Sequence, residues 1–200
     1  TLYVGGHGTG LNVMSIESGK AHHVSGSPSD IYSLLKKDER SIWVGSFNGL
    51  YIYDIPSQEM IKVTNTEVAE IRILSLFSDG NTLWIGAAEG IFVYDILSKN
   101  MITGIQDKLK PISYVHSFLK TSGDELWIAS INGLFRWDGE KLTGFTDNDG
   151  LSSNAIHGME EDSFGRIWLS TDNGLNCFNP ESGTIKSYFV SDGLQSNEFN

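Results

Sequence analysis

One phrase recurs along the chain at nearly constant spacing. Residues 41–54 read "SIWVGSFNGLYIYD", and close variants follow as "TLWIGAAEGIFVYD", "ELWIASINGLFRWD" and "RIWLSTDNGLNCFN", after a diverged first copy, "TLYVGGHGTGLNVMS". The aromatic residues that mark the five copies are spaced by 40, 41, 43 and 41 residues: Tyr3, Trp43, Trp84, Trp127 and Trp168. A period of this size is typical of repeat architectures, in which each copy forms one supersecondary unit.

Each copy of the phrase predicts a β-hairpin. Its first half has apolar residues at consecutive positions, which indicates a strand that is buried on both faces. A polar residue and a glycine follow, and in three copies they are Asn-Gly, a strong hairpin signal because both residues tolerate the positive φ of a type I′ turn. The returning half is rich in aromatic and branched residues, as strands are. The glycines of the predicted turns are Gly49, Gly90, Gly133 and Gly174.

The period predicts the fold class. A further strand before each hairpin and another after it make a four-stranded antiparallel meander, which takes roughly 40 residues. Sheets with two apolar faces must stack on one another, and radial stacking produces a β-propeller. We therefore predict an all-β chain whose tryptophan column packs between blades, where burying one Trp contributes roughly 5 kcal/mol as an upper limit.

The blade limits follow from the same alignment. Residues 1–200 are predicted to form part of one propeller, and the number of predicted strands, nineteen where five blades need twenty, suggests a fragment. An incomplete blade that lacks its first strand comes first, four blades follow, and the last residues lead into a missing blade: 1–28, 29–68, 69–111, 112–153, 154–191 and 192–200. Because a cut ring exposes strand edges and blade faces, we expect the isolated piece to dimerise or aggregate.

Composition argues against several classes of function. The 200 residues carry a net charge of −11, whereas a nucleic-acid surface needs clustered Lys and Arg. No run of about 18 apolar residues predicts a membrane-spanning helix, so we expect no membrane contact by this segment itself. Cys177 stands alone and is predicted to be a small apolar strand residue rather than a reactive thiol.

The sequence shows no catalytic constellation. The five histidines lack metal-ligand spacing, and we expect no catalytic residue, no metal and no cofactor in this segment. His116 and His157 share one position of the predicted first strands, where Tyr32 and Leu74 stand in other repeats, so strand histidines are favoured over ligands. These two histidines are the only basis for an alternative, a lyase-type propeller enzyme that would require a divalent metal.

Ligand binding is better supported than chemistry. In a meander propeller the hairpin turns after the Trp strands and the loops that enter each first strand emerge at one edge, which we call the rim. Sugar recognition needs planar amide and carboxylate groups beside an aromatic platform, and the rim contains both. Turn and loop geometry alone also explains its asparagines. The candidate ligand-binding residues of the rim are His7, Phe47, Asn48, Glu89, Asn132, Ser153, Asn154, Asp172 and Asn173.

A set of short motifs is concentrated in residues 147–200. D-G-L-x-S-N occurs at 149–154 and again at 192–197, and D-S-x-G at 162–165 precedes an I-W-L-S-T phrase and an N-G-L turn. With these motifs the chain resembles the regulator-propeller (two-component regulator propeller) repeats in the periplasmic sensor domain of Bacteroides-type hybrid two-component sensor histidine kinases. The resemblance covers the whole chain and is most specific over these last residues.

This resemblance implies a sensor segment on the periplasmic side of the inner membrane, in a membrane-anchored protein. Such sensors detect oligosaccharides released from polysaccharides, and their intact propellers have seven blades. Kinase activity would belong to a domain of the parent protein that is not present here, and the parent would be a homodimer. The main alternative is a propeller that serves as a protein-interaction scaffold.

Overall fold

The computed structural model describes residues 1–64, 66–109 and 112–199. It contains two compact units, Thr1–Thr103 and Gly104–Asn200, which are described separately below. Every sheet is antiparallel, with its strands side by side in chain order. The predicted all-β architecture of propeller blades is confirmed. Two of the predicted blade limits, residues 111 and 200, lie outside the described residues.

The N-terminal unit contains one three-stranded and two four-stranded sheets. In each four-stranded sheet the second strand begins with the residues that precede the repeat Trp, as the phrase predicts. The strands are β1 Leu2–Gly6, β2 Gly10–Met14 and β3 Ala21–His23 in the first sheet; β4 Ile31–Lys36, β5 Ser41–Ser46, β6 Gly49–Asp54 and β7 Glu59–Lys62 in the second; and β8 Ile73–Asp79, β9 Thr82–Ala87, β10 Ile91–Asp95 and β11 Asn100–Met101 in the third.

The C-terminal unit contains two four-stranded sheets, a short helix and two 3₁₀ turns. Both 3₁₀ turns lie in the segments that carry the D-G-L motif. The elements are α1 Gln106–Leu109; β12 Val115–Lys120, β13 Leu126–Ser130, β14 Gly133–Trp137 and β15 Leu142–Phe145; the 3₁₀ turn Asp147–Asp149; β16 Ile156–Glu161, β17 Ile167–Thr171, β18 Gly174–Asn179 and β19 Thr184–Tyr188; and the 3₁₀ turn Val190–Asp192.

Helix α1 is the main departure from the predicted strands. The strand expected after the third hairpin is short, because β11 ends at Met101 after two residues and the segment "MITGI", residues 101–105, does not continue it. The chain then turns at Gly104, with φ of +90°, and α1 buries Leu109. The apolar residues here serve a helical turn rather than a strand. No helix in the described part of the chain is long and apolar enough to cross a membrane.

Apolar layers separate neighbouring sheets within each unit. Leu11 and Val44 belong to the layer between the first two sheets of the N-terminal unit. Trp43 and Ile85 belong to the next layer, between the second and third sheets. In the C-terminal unit Trp127 belongs to the corresponding layer between its two sheets. The second strands β5, β9 and β13 are therefore buried on both faces, which explains their continuous apolar runs.

The repeat aromatics of three copies pack on a ring from the third strand of the following sheet. The pairs and their centroid distances are Tyr3–Tyr53 at 6.0 Å, Trp43–Tyr94 at 6.0 Å and Trp127–Phe178 at 5.2 Å. Trp84 is also buried, at 8% exposure. Trp168 differs, because it is only partly buried and stacks on Tyr188 of its own sheet at 5.5 Å.

The hairpin turns are not of the predicted type. Ser46 pairs with Gly49, so the central turn residues are Phe47 and Asn48 rather than Asn48 and Gly49. Only the glycine has a positive φ, of +120°, and the equivalent turns at Gly133 and Gly174 behave alike. A type I′ turn would need positive φ at both central residues. The asparagine instead contributes hydrogen bonds from its backbone N–H and its side chain.

A hydroxyl at the end of the second strand explains this turn. In the C-terminal unit, Ser130 Oγ donates to the carbonyl oxygen of Gly133 at 3.1 Å and accepts from the Asn132 N–H at 3.0 Å. Ser46 and Thr171 make the same two contacts in their own hairpins. The hydroxyl thus pairs with a carbonyl and an N–H group of the turn, which a type I′ hairpin would pair differently.

Candidate functional site

Backbone hydrogen bonds build the rim of the two four-stranded sheets in the N-terminal unit. The first residue of the hairpin turn donates its N–H to the carbonyl of the residue that enters the first strand. This bond joins Phe47 to Asp30 at 3.0 Å and Ala88 to Arg72 at 3.2 Å in the N-terminal unit. It brings the turn and the entry loop of one blade together, as the meander predicts.

A β-bulge occurs at the same place in every four-stranded sheet. The register of the first strand shifts between its first and third residues, immediately beside the rim. Bulges re-aim a side chain and are frequent next to functional sites. The residues at the four bulges are Tyr32, Leu74, His116 and His157. The first-strand position at which the repeats differ in residue type is therefore also the position of the β-bulge.

The rim of the N-terminal unit gathers aromatic, basic and acidic side chains. The Arg72 guanidinium carbon lies 5.0 Å from the ring centroid of Phe47 and 5.8 Å from that of Tyr32. His7 meets Tyr32 edge-on at 5.8 Å and hydrogen-bonds to the Asp30 carboxylate. We call these five residues the N-terminal rim cluster. Phe47 is more exposed than Tyr32, at 51%.

Hydrogen bonds stabilise the charge of Asp30 in this cluster. Its carboxylate accepts from Ser29 Oγ at 2.6 Å and from the Gly8 N–H at 3.0 Å, besides its contact with His7. These bonds lower the pKa of Asp30, Ser29 contributing most and His7 next. Asp30 is therefore a carboxylate at neutral pH whose role is to hold the first hairpin against the second sheet.

The rim of the C-terminal unit contains the two bulge histidines. The rings of His116 and His157 lie 5.1 Å apart, and His157 Nε2 lies 2.6 Å from the Asp172 carboxylate. Burial, and next the neighbouring His157, lower the pKa of His116. No group of three or more metal-ligating side chains that could hold an ion occurs among the residues the structure describes.

The three asparagines of the predicted site make contacts that hold the rim itself. Asn48 Oδ1 accepts from Tyr51 Oη at 3.2 Å within its hairpin. Asn132 Oδ1 accepts from the N–H and Oγ of Ser113 at 3.0 and 2.7 Å. Asn173 Nδ2 donates to the Ser152 carbonyl at 3.2 Å. The bonds of Asn132 and Asn173 connect the entry loop to the hairpin turn.

The D-G-L-x-S-N motif is also explained by local structure. Asp149 accepts from the Thr146 N–H at 2.8 Å, and Gly150 ends the 3₁₀ turn with φ of +110°. Asn154 Oδ1 accepts from the Asp147 N–H at 2.8 Å, and Ser153 Oγ accepts from the backbone of the residue after Asn154. Glu89, like His7, Phe47 and Asp172, is an exposed member of the rim.

Three members of the N-terminal rim cluster were not among the predicted site residues: Asp30, Tyr32 and Arg72. Asp30 and Arg72 occupy the same position, directly before the first residue of a first strand. Tyr32 follows two residues after Asp30, at the bulge. Aligning the repeats by the start of the first strand, rather than by the Trp, would have placed all three on the rim.

Comparison with known proteins agrees with the propeller architecture. The chain aligns with the extracellular domain of a hybrid two component system from B. thetaiotaomicron with a TM-score of 0.84 and 19% identity, over 98% of this chain and 28% of that one. The extracellular domain of a one component system from the same organism gives a TM-score of 0.77 and 22% identity, over 92% and 26%. At these identities the likeness shows the fold, a β-propeller.

The more specific match comes from the sequence. Residues 150–173 match the family model described as two component regulator propeller. A curated relative, "Histidine kinase P4" of Formosa agariphila, is 26% identical over 192 residues, which cover 86% of this chain and 14% of the relative. The resemblance to regulator-propeller repeats is confirmed. Residues 150–173 thus match a two-component regulator propeller repeat, and the chain spans about a seventh of the length of this curated relative.

Proposed function

We propose that the chain is the ligand-sensing part of an extracytoplasmic propeller in a hybrid two-component signalling protein, and that its ligand is an oligosaccharide. The N-terminal rim cluster carries this proposal. It sets the half-exposed ring of Phe47 beside a guanidinium, an imidazole and a carboxylate. Sugars bind to sites of this kind, in which an aromatic face receives the ring and polar groups receive its hydroxyls.

The relatives support the wider setting. One is described as a histidine kinase and another as the extracellular domain of a hybrid two component system. We propose that the parent protein has kinase activity in a separate domain, is anchored in the inner membrane with this segment on the periplasmic side, and acts as a homodimer. Ligand binding would act by favouring one of two arrangements of the dimer, which requires different affinities for them.

A scaffold function remains the second candidate because of the C-terminal unit. Its rim exposes two large apolar side chains, Tyr114 at 42% and Ile131 at 46%. Exposed apolar groups are more useful for protein contact than for sugar hydroxyls. Under this alternative the protein partner, not a sugar, would bind at the rim.

Calorimetric titration of the intact ectodomain with a panel of defined oligosaccharides tests the sensing proposal. We expect saturable binding of one sugar and a loss of on the order of tenfold in affinity in Phe47→Ala. Phe164→Ala is the matched control. Phe164 is also exposed, at 80%, and also lies under an arginine, Arg166 at 5.1 Å, but it belongs to the turn before β17, away from the rim. Equal losses in both variants, or no binding by the unaltered protein, would contradict the proposal.

A further inference from the structure

Arg72 is held in an unusual way for an arginine of this chain. Its backbone is fixed to the next hairpin by the bond from the Ala88 N–H at 3.2 Å. Its side chain lies against the rings of Phe47 and Tyr32, at 5.0 and 5.8 Å. Stacking on aromatic rings occupies the flat face of a guanidinium and leaves its five N–H donors, which point outwards in its plane, available.

These donors have no acceptor among the residues that the structure describes. Arg136 and Arg166 each pair with a carboxylate, whereas no oxygen of the described residues lies within hydrogen-bonding or ion-pairing distance of the Arg72 guanidinium. Asp30 on the same rim and Glu70, two residues before Arg72 in the chain, are engaged elsewhere. Asp30 binds His7 and Ser29, and Glu70 pairs with Lys62 at 2.7 Å. Arg72 is thus a partly buried, oriented cation with unused donors.

We propose that Arg72 binds the acidic group of a sugar, so that the sensed oligosaccharide carries a carboxylate or a sulfate. This inference rests on the proposed sensing function and specifies its ligand. The guanidinium fork matches two oxygens of such a group, while the exposed ring of Phe47 receives the apolar face of the same sugar ring. Tyr32 holds the guanidinium from the protein side.

The position of Arg72 in the repeat supports a specific role. The equivalent residue is Asp30 in the preceding repeat and Tyr114 and Ala155 in the following ones, so the fold does not require an arginine there. The chain as a whole carries a net charge of −11 and repels anions at long range. Affinity for an acidic sugar therefore needs a local cation, and Arg72 supplies it beside an open aromatic ring.

Matched acidic and neutral sugars test this inference. The intact ectodomain is titrated with an oligogalacturonide, with a sulfated galactan oligosaccharide, with a neutral galactan of the same length and with a tetraglutamate peptide. We expect at least one acidic sugar to bind on the order of 10- to 100-fold more tightly than the neutral one, as charge-assisted hydrogen bonds predict. Preference for the first identifies a uronic acid, and preference for the second a sulfated sugar.

Two variants localise the effect. Arg72→Gln removes the cation and should abolish the preference for the acidic sugar. Arg40→Gln makes the same charge change in an exposed turn before β5, at the opposite end of its blade, and should leave the preference intact. The preference should also weaken as ionic strength rises, because salt screens charged contacts at a partly open site.

The remaining outcomes distinguish this inference from the function on which it rests. Equal affinity for acidic and neutral sugars, or equal effects of the two variants, would overturn the role of Arg72 and leave oligosaccharide sensing standing. Tetraglutamate binding that matches the acidic sugar and depends on Arg72 would overturn the sugar class. Binding of none of the probes would contradict the sensing proposal as well.

Discussion

At the scale of single residues, the repeat tryptophans share a position but not an environment. Trp168 Nε1 donates to the Asp162 carboxylate at 2.9 Å. Trp43 and Trp127 bury the same N–H without a hydrogen-bond partner among the described residues. An unpaired buried donor reduces the net benefit of burial. Trp43 and Trp127 therefore stabilise the fold through the apolar area that they bury and through their ring contacts. Their indole N–H groups make no hydrogen bond to the described residues.

Asp162 shows what the D-S-x-G motif contributes. One carboxylate accepts from the Trp168 side chain, from the backbone N–H groups of Phe164 and Arg166, and from the Arg166 guanidinium, the last at 2.7 and 2.8 Å. The Arg166 contact, and next the Trp168 bond, hold the pKa of Asp162 well below its usual range. The motif thus closes the turn before the Trp strand.

The first prediction compares two tryptophans of the C-terminal unit. Trp127→Ala should lower the free energy of unfolding by about 3–5 kcal/mol, because Trp127 is fully buried and the change leaves a cavity between two sheets. Trp168→Ala should cost less, since Trp168 is partly exposed and stacks within its own sheet. Urea unfolding followed by far-ultraviolet circular dichroism measures both. Equal losses would contradict the dependence of the cost on burial.

At the scale of elements, the hairpin glycines matter for more than their φ angles. A Cβ on Gly133 would lie 2.5 Å from the carbonyl oxygen of Phe145, at the end of β15 in the same sheet. At Gly174 it would lie 2.5 Å from the Tyr188 carbonyl oxygen. The glycine therefore allows the turn to approach the backbone of the fourth strand, and backbone cannot move aside as a flexible side chain can.

The second prediction isolates this close approach. Gly133→Ala should destabilise the protein by more than about 1 kcal/mol, through both a positive φ and a steric overlap. Gly139→Ala is the matched control, because Gly139 has a similar φ of +98° but has no atom within 4 Å of an added Cβ. The difference in urea midpoint between the two variants measures the overlap alone. If both variants lose the same stability, the overlap is relieved at no cost.

The sequence predicted the elements well wherever the repeat was regular. Apolar runs and turn glycines placed the second and third strands, because burial on both faces leaves a strong local pattern. Helix α1 and the shortened β11 were missed, since "MITGI" satisfies a strand pattern and only tertiary packing of Leu109 decides otherwise. The turn type was wrong because the Ser130 hydroxyl that selects it lies at the end of the strand, outside the Asn-Gly pair from which the turn was predicted.

At the scale of the whole molecule, the rim was predictable as a location but not as a set of contacts. Phe47 and His7 were selected because hairpin turns of a meander share one edge. Arg72 was missed because its importance lies in contacts with Phe47 and with Tyr32, twenty-five and forty residues away in the chain. Repeat alignment shows which positions are variable, whereas only the folded chain shows which variable side chains meet.

The last prediction concerns acid stability and follows from a residue that recurs at the end of each third strand. Asp54, Asp95 and Asp138 each accept a backbone N–H from the following turn, and these bonds lower the pKa of all three carboxyls. Asn179 occupies the same position in the last sheet and makes the same kind of bond without titrating. Asn179 therefore shows that an uncharged side chain can make this bond at the same position of the repeat.

Since these pKa values are lower in the folded state than the roughly 3.9 of an unfolded aspartate, the unfolded chain binds protons more readily. The stabilisation is present above about pH 4 and is lost as pH falls through the folded pKa values. A triple variant with Asn at Asp54, Asp95 and Asp138 should thus lose stability less steeply on acidification. Urea midpoints measured from about pH 7 to 3 give both slopes. Asp30, Asp38 and Asp162 remain in the variant and retain part of the slope, so parallel curves would contradict a contribution from the three substituted carboxyls.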